Sequence, residues 1–206
     1  TFSVTETIAE KIMGEEGKSI IQKMKTTPLV SKTYKTEIDL SYVKATKTAY
    51  ASNVMGLLEG TDKKNEYVFI TSHYDHVGKR NDSTIYYGAD DDGSGTVSIL
   101  ELAEAYAKAK AAGKGPRRSI VFMTVSGEEK GLWGSEYYSD NPTISLDKIT
   151  ANLNIDMIGR TDTERMKPDT LNYVYVVGDD KLSSELKPIS EAANAKYTKL
   201  VLDYKY

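Results

Sequence analysis

Residues 88–95 read GADDDGSG, three consecutive aspartates between glycines. Adjacent carboxylates repel one another, and a chain folding only for stability gains nothing from them. Converging carboxylates are tolerated where a cation sits among them. Other groups of the same kind recur along the chain. His73 and Asp75 lie in TSHYDH, Glu128 and Glu129 in SGEEKG, and Asp156 in NIDMIG. Carboxylates joined by a neutral imidazole suit zinc, manganese or cobalt, whereas an all-oxygen set would favour magnesium or calcium. A calcium loop needs acidic residues at alternating positions, and its first position here would be Gly88. A phosphate cradle is excluded by the repulsion three carboxylates would exert on the anion.

Each fragment alone has a plainer reading. A lone His-x-Asp is most often a surface hydrogen-bonded pair, a Glu-Glu pair a solvated helix start, and DDDG an acidic turn. What raises them above that is their placement. His73 and Asp75 follow the apolar run Tyr67 to Ile70, Glu128 and Glu129 follow Ile120 to Val125, and Asp156 follows Leu153 to Ile155. Each apolar run reads as a buried strand, so each acidic group falls at a strand's carboxyl end, the edge of an open α/β sheet where ligands bind.

The elements that must carry them follow from periodicity. TETIAEKIMG has a Thr cap and apolar residues at helical spacing, and reads as a short helix stopped at Gly14. The stretch from Tyr34 to Gly60 alternates apolar and polar residues and reads as antiparallel strands. After the aspartates, residues 95–115 have a helical period ending in glycines; RRSIVFMTV is a second buried strand and GLWGSEYYSDNP a helix. Strands at ITANLNIDMIG, LNYVYVV and TKLVLDY and a helix at KLSSELKPISEAANA, kinked at Pro188, complete the chain. Strands alternating with long helices predict an α/β fold, with a mixed, centrally parallel sheet flanked by helices. Composition shifts near residue 50 from Lys/Thr-rich to core-like, which divides the chain into residues 1–50 and 51–206.

The 206 residues are enough for a sizeable core, and the 28% charged content is that of an ordinary globular protein. A net charge of −3 and a pI of about 5.5 provide no broad basic surface, which argues against nucleic acid as a partner. No run of about 18 apolar residues is present to span a membrane. The absence of cysteine rules out disulfides, thiol nucleophiles and Cys-ligated zinc. The chain opens at Thr1 rather than Met and reads as a processed or excised piece. The sequence does not specify an oligomeric state.

Taken in order, TSHYDHVG, GADDDGSG, SGEEKGLWGS and NIDMIGR resemble the motifs of the co-catalytic dizinc aminopeptidases of metallopeptidase family M28 (bacterial leucyl aminopeptidase and aminopeptidase Y-like), from about Asn53 to Tyr206. The resemblance implies two zinc ions per complete site and a peptide substrate with a free N-terminus. It implies that His73 binds one zinc, that Asp75 orients that imidazole, and that Asp91 bridges both metals and is followed by a cis peptide. It also implies that Glu128 is the general base, Glu129 a zinc ligand, and Asp156 the residue completing the first metal's set. On this reading the charge of two dications offsets the repulsion of the aspartates. Gly93 and Gly95 would let the backbone turn beneath the metals, and Trp133 would either wall a side-chain pocket or pack into the core. Residues 1–50 resemble the tail of a protease-associated-type insert, and the location implied is secreted, periplasmic or cell-envelope.

The chain departs from that pattern at one ligand. The family's fifth ligand is a histidine in a Ser-Asp-His-like motif, and no histidine follows His76. His76 lies three residues from His73 and on the wrong loop, so a surface or supporting role is expected of it, and the first metal is expected to bind better than the second. The simplest expectation is a truncated chain, with residues 51–206 a C-terminally incomplete zinc peptidase domain of weak or no activity; the alternatives are a catalytically inactive or single-zinc homologue, of glutaminyl cyclase or receptor-like binding-module type.

Overall fold

The computed structural model describes residues 3–24, 26–28, 31–165 and 171–206, and divides into two compact units, Thr1–Thr48 and Ala49–Tyr206. In the first unit, α1 (Glu6–Met13) starts at Thr5, whose hydroxyl accepts the amide N–H of Ile8 at 3.4 Å. Gly14, with φ of 68°, breaks the helix as expected. A single 3-10 turn then leads into a second helix, α2 (Gly17–Met24), that the glycines had concealed. Gly17 is there for closeness: a Cβ at this position would lie 2.7 Å from the Cα of Glu10. Residues 31–53 form no strand, contrary to the reading of their alternation. Alternation marks a strand only where a neighbour supplies backbone partners, and these residues pair with none; only β1 (Val54–Leu58) does.

In the second unit, β2 (Lys63–His73), β5 (Arg118–Val125) and β6 (Ile149–Asn154) run parallel, and β1 closes one edge antiparallel, in the order β1-β5-β2-β6. This is the mixed, centrally parallel sheet expected. Period-two alternation sends successive side chains to opposite faces. Phe69, Val121, Met123 and Val125 pack with Tyr138 of α4 (Trp133–Asp140). Ile70, Ile120 and Phe122 pack with Ile99 of α3 (Gly93–Ala111). Helices therefore cover both faces of β2 and β5, whose apolar runs are buried on both sides, whereas β6 is a largely exposed edge strand with Leu153 45% exposed.

A hairpin, β3 (Gly78–Asn81) and β4 (Thr84–Tyr86), is inserted between β2 and α3. Its strands are too short and polar to stand out by periodicity. A separate parallel pair, β7 (Tyr173–Tyr175) and β8 (Val201–Asp203), is joined through α5 (Leu186–Tyr197). Pro188 does not kink α5. It occupies the helix's first turn, where its missing N–H has no intrahelical partner to lose. No helix among the described residues is long and apolar enough to cross a membrane.

Candidate metal centre

Register alone brings the predicted residues together. His73 of β2 is paired with Val125 of β5, and Thr71 with Asn154 of β6. The next residues out of the three parallel strands therefore emerge side by side, carrying Asp75, Glu128, Glu129 and Asp156. The triple aspartate enters from the turn before α3.

His73 is the fixed point, with its side chain 3% exposed. Its Nδ1 lies 2.9 Å from the main-chain oxygen of Asp75, an acceptor only, so Nδ1 carries the proton and Nε2 presents a lone pair. That Nε2 is buried and has no hydrogen-bond partner. Around it stand Asp91 Oδ1 at 3.0 Å, Asp156 Oδ2 at 3.8 Å and Glu128 Oε2 at 3.9 Å. The orienting contact comes from the carbonyl of Asp75; its carboxylate is 3.8 Å from Nδ1 and accepts the amide N–H of Glu128 at 3.3 Å. Asp75 thus ties the β2 loop to the β5 loop.

The three aspartates differ in their partners. Asp92 caps α3: its carboxylate accepts N–H groups from Gly95 at 2.9 Å, His73 at 3.2 Å and Met157 at 3.3 Å. Asp90 Oδ1 accepts Gly159 N–H at 2.7 Å. Asp91 makes no hydrogen bond among the described residues and points between the imidazoles of His73 and His76, 3.9 Å from Nδ1 of the latter. The Asp91–Asp92 peptide is cis. Donor atoms of His73, Asp92 and Asp156 lie within 4.8 Å of one another, as do those of His76, Asp91 and Glu129. Because both Asp92 oxygens are engaged by backbone N–H groups, Asp91 is the better available donor beside His73.

Burial alone would lower the His73 imidazole, but the Asp75 carbonyl and the carboxylates of Asp156, Asp92 and Glu128 leave it raised. Burial pushes Glu128 up, as do Glu129, Asp156 and Asp91, against the opposing effect of His73. Asp156 is raised by burial, opposed by His73 and reinforced by Asp91 and Glu129. A set of carboxylates that disfavour one another's charge, around a buried imidazole lone pair with no partner, fits a divalent cation.

A cavity of about 370 Å³ opens beside the cluster, running from His73, Glu128 and Asp156 to Phe69, Met123 and Leu132. Trp133 neither lines it nor fills the core; it is 59% exposed, and Leu132 takes the cavity position. His76, of which the sequence leads one to expect a surface or supporting role, has its Nδ1 2.6 Å from Glu129 Oε1. Sequence reasoning missed Gly159, where a Cβ would meet Asp90 Oδ1 at 2.8 Å.

Comparison with known proteins bears on the family and the fold. Probable glutamate carboxypeptidase LAMP1 of Arabidopsis thaliana is 33% identical over 120 residues, 58% of this chain and 16% of that protein. A probable zinc metalloprotease of Pyrenophora tritici-repentis is 31% identical over 140 residues, 65% of this chain and 27% of that protein. The chain therefore spans less than a third of the length of these relatives. The aminopeptidase from Aneurinibacillus sp. strain AM-1 shares the fold with a TM-score of 0.54 at 24% identity, over 73% of this chain and 34% of that one. The pattern of Peptidase family M28 matches residues 53–205, which contain every strand of the sheet and every residue of the cluster, and the chain belongs to that family.

Proposed function

We propose that the chain carries the centre of a metal-dependent peptidase acting on the N-terminal bond of peptides. The observation that carries this reading is the buried, unpartnered Nε2 of His73 facing the carboxylates of Asp91, Asp156 and Glu128 at the carboxyl edge of the sheet. Zinc is the cation that this donor set and the family suit. His73, Asp91 and Asp156 would hold one ion, and Asp91 and Glu129 would hold a second. Bound there, the ions would polarise the scissile carbonyl and acidify an attacking water.

The protein's own groups then have distinct tasks. Asp75 holds the His73 proton on Nδ1 through its carbonyl and anchors the Glu128 backbone through its carboxylate. Glu128, raised by burial and by its acidic neighbours, is set as the base that takes the water's proton at its carboxylate and returns it to the leaving amine. The acidic rim would attract a protonated α-amine. The apolar wall of Phe69, Met123 and Leu132 would receive the first side chain and exclude water. The resemblance to secreted family members supports a location outside the cytoplasm.

The test is hydrolysis of Leu-p-nitroanilide and of its N-acetyl counterpart by metal-loaded protein, with ion content measured by plasma emission. Cleavage of the free amine alone, abolished by chelator and restored by zinc, is the expected result. Cleavage of an N-blocked dipeptide ending in glutamate instead would transfer to this chain the activity named for the Arabidopsis relative. Protein that binds no divalent ion would overturn the reading.

A further inference from the structure

Resting on the metal-dependent reading above, we infer that His76 is a metal ligand, and that with Glu129 and Asp91 it builds a second cation position from within this chain. The nearness of His76 to His73 in sequence argues against such a role, but the structure removes that objection. β2 ends at His73, and the chain turns before the β3–β4 hairpin begins at Gly78. The hairpin returns the chain at Tyr86, two residues before the aspartate loop. His76 is thereby laid against that loop rather than beside His73.

The packing at Gly88 fixes the imidazole there. Gly88 has φ of +66°, and a Cβ on it would lie 2.5 Å from Cβ and 2.6 Å from Cγ of His76. The glycine opening the GADDDGSG motif therefore provides the room in which the ring sits. Nδ1 of His76 then faces Glu129 Oε1 at 2.6 Å and Asp91 Oδ1 at 3.9 Å. Both Nδ1 of His76 and Oε1 of Glu129 are buried atoms whose contact lacks hydrogen-bond geometry, so two donors to a cation point at one place without satisfying each other. Asp91 Oδ1 is shared with the first group through its 3.0 Å approach to Nε2 of His73. One carboxylate between two imidazoles, each with its own acidic companion, is a paired arrangement. One nitrogen and two carboxylates per position select a borderline cation such as zinc, cobalt or manganese rather than calcium.

The chain's having only two histidines makes the test direct. Metal-free protein is titrated with Co²⁺ and followed by visible absorption, chelator competition and the hyperfine-shifted imidazole N–H resonances of the cobalt form. Two ions and two shifted imidazole signals are expected. His76→Gln should remove one signal and weaken the second ion by more than the roughly 10–100-fold that loss of a mere supporting partner costs. The first ion should be retained. Glu129→Gln should release the same ion, and Gly88→Ala, which displaces the ring without removing a donor, should weaken it by a smaller factor. If His76→Gln fails to fold, the count of shifted imidazoles in the unaltered protein still decides. One shifted imidazole, one bound ion, or unchanged affinity in His76→Gln overturns the inference and leaves His76 as an ion-pair partner of Glu129. Failure to bind any ion would overturn the peptidase reading itself, so the two failures are distinguishable.

Discussion

Replacing Glu128 by glutamine keeps size and shape while removing one negative charge and the proton acceptor. Its carboxylate has Glu129, Asp156 and Asp91 as like-charged neighbours, opposed only by the His73 imidazole at 3.9 Å when that ring is protonated. In metal-free protein the ionised side chain is therefore opposed on balance. Partly exposed pairs of this kind are worth only a few tenths of a kcal/mol each after screening, so relief of the excess repulsion should stabilise the chain by about 0.5–1 kcal/mol. For a chain of this size that raises Tm by about 1–4 °C. In metal-loaded protein the same substitution should lower kcat by about 10²–10⁴, or roughly 3–5 kcal/mol of barrier, because general-base assistance is lost. Ion content should not change. The assays are thermal unfolding by circular dichroism in chelator, ion content by plasma emission, and p-nitroanilide turnover against the unaltered chain. A lost ion would make Glu128 a ligand. A lower Tm in chelator would show that its charge is favourably placed, and turnover within tenfold of the unaltered chain would remove it from the reaction. Any of the three would refute the reasoning.

Asp75→Asn should keep metal affinity within about tenfold, because the main-chain carbonyl, not the carboxylate, fixes the His73 tautomer; a loss nearer the upper end of the 10–100-fold range, read by chelator competition, would return the orienting role to the side chain. Gly134→Ala should lower Tm by at least about 2 °C, since its Cβ would lie 2.4 Å from Ser126 O and 2.5 Å from Asn53 Oδ1, and crowding of this kind costs about 1–3 kcal/mol. Away from the centre, hydrogen bonds from Arg117 hold the Asp62 carboxyl at about 2 against the ordinary 3.8. A depressed carboxylate contributes stability that is present above the unfolded value and lost as pH falls through the folded one, here between 3.8 and about 2. Carbon-detected titration should find that value and see it rise toward 3.8 in Arg117→Met.

Legibility in the sequence followed burial. β2 and β5 are legible because both of their faces are covered, which continuous apolar runs of that length mark; β6 is an exposed edge strand, legible only by the short run that precedes Asp156. The residues at their ends were visible for the same reason: a strand's end is located once the strand is. What escaped was whatever depends on a contact rather than a period. The strand pattern at residues 34–53 has the alternation of a sheet and no partner strand. The β3–β4 hairpin is too short and polar to carry a period. The nearness of His76 to Asp91 comes from that hairpin and from the missing side chain of Gly88, and neither has a local signature. Gly17, Gly134 and Gly159 would have been readable only as glycines, because the groups they approach lie elsewhere in the chain.

The same distinction explains why three aspartates stand together. Repulsion between them would be hard to justify if all three served one cation, and the structure gives them different work. Asp92 is neutralised locally by three backbone N–H groups drawn from α3, β2 and the β6 loop, so it locks the three elements of the site to one another. Asp90 does the same on a smaller scale with Gly159, and its main-chain oxygen accepts the Ser94 hydroxyl at 2.7 Å. The buried Asp92 carboxylate is satisfied without any metal, as a buried polar group must be if the chain is to fold before an ion arrives, and the half-buried Asp90 has its own partner in Gly159. Asp91, held between these two clamps, is left with no hydrogen-bond partner among the described residues and with an imidazole on each side. The outer aspartates set the position of the backbone, and the middle one carries the charge that a cation would answer.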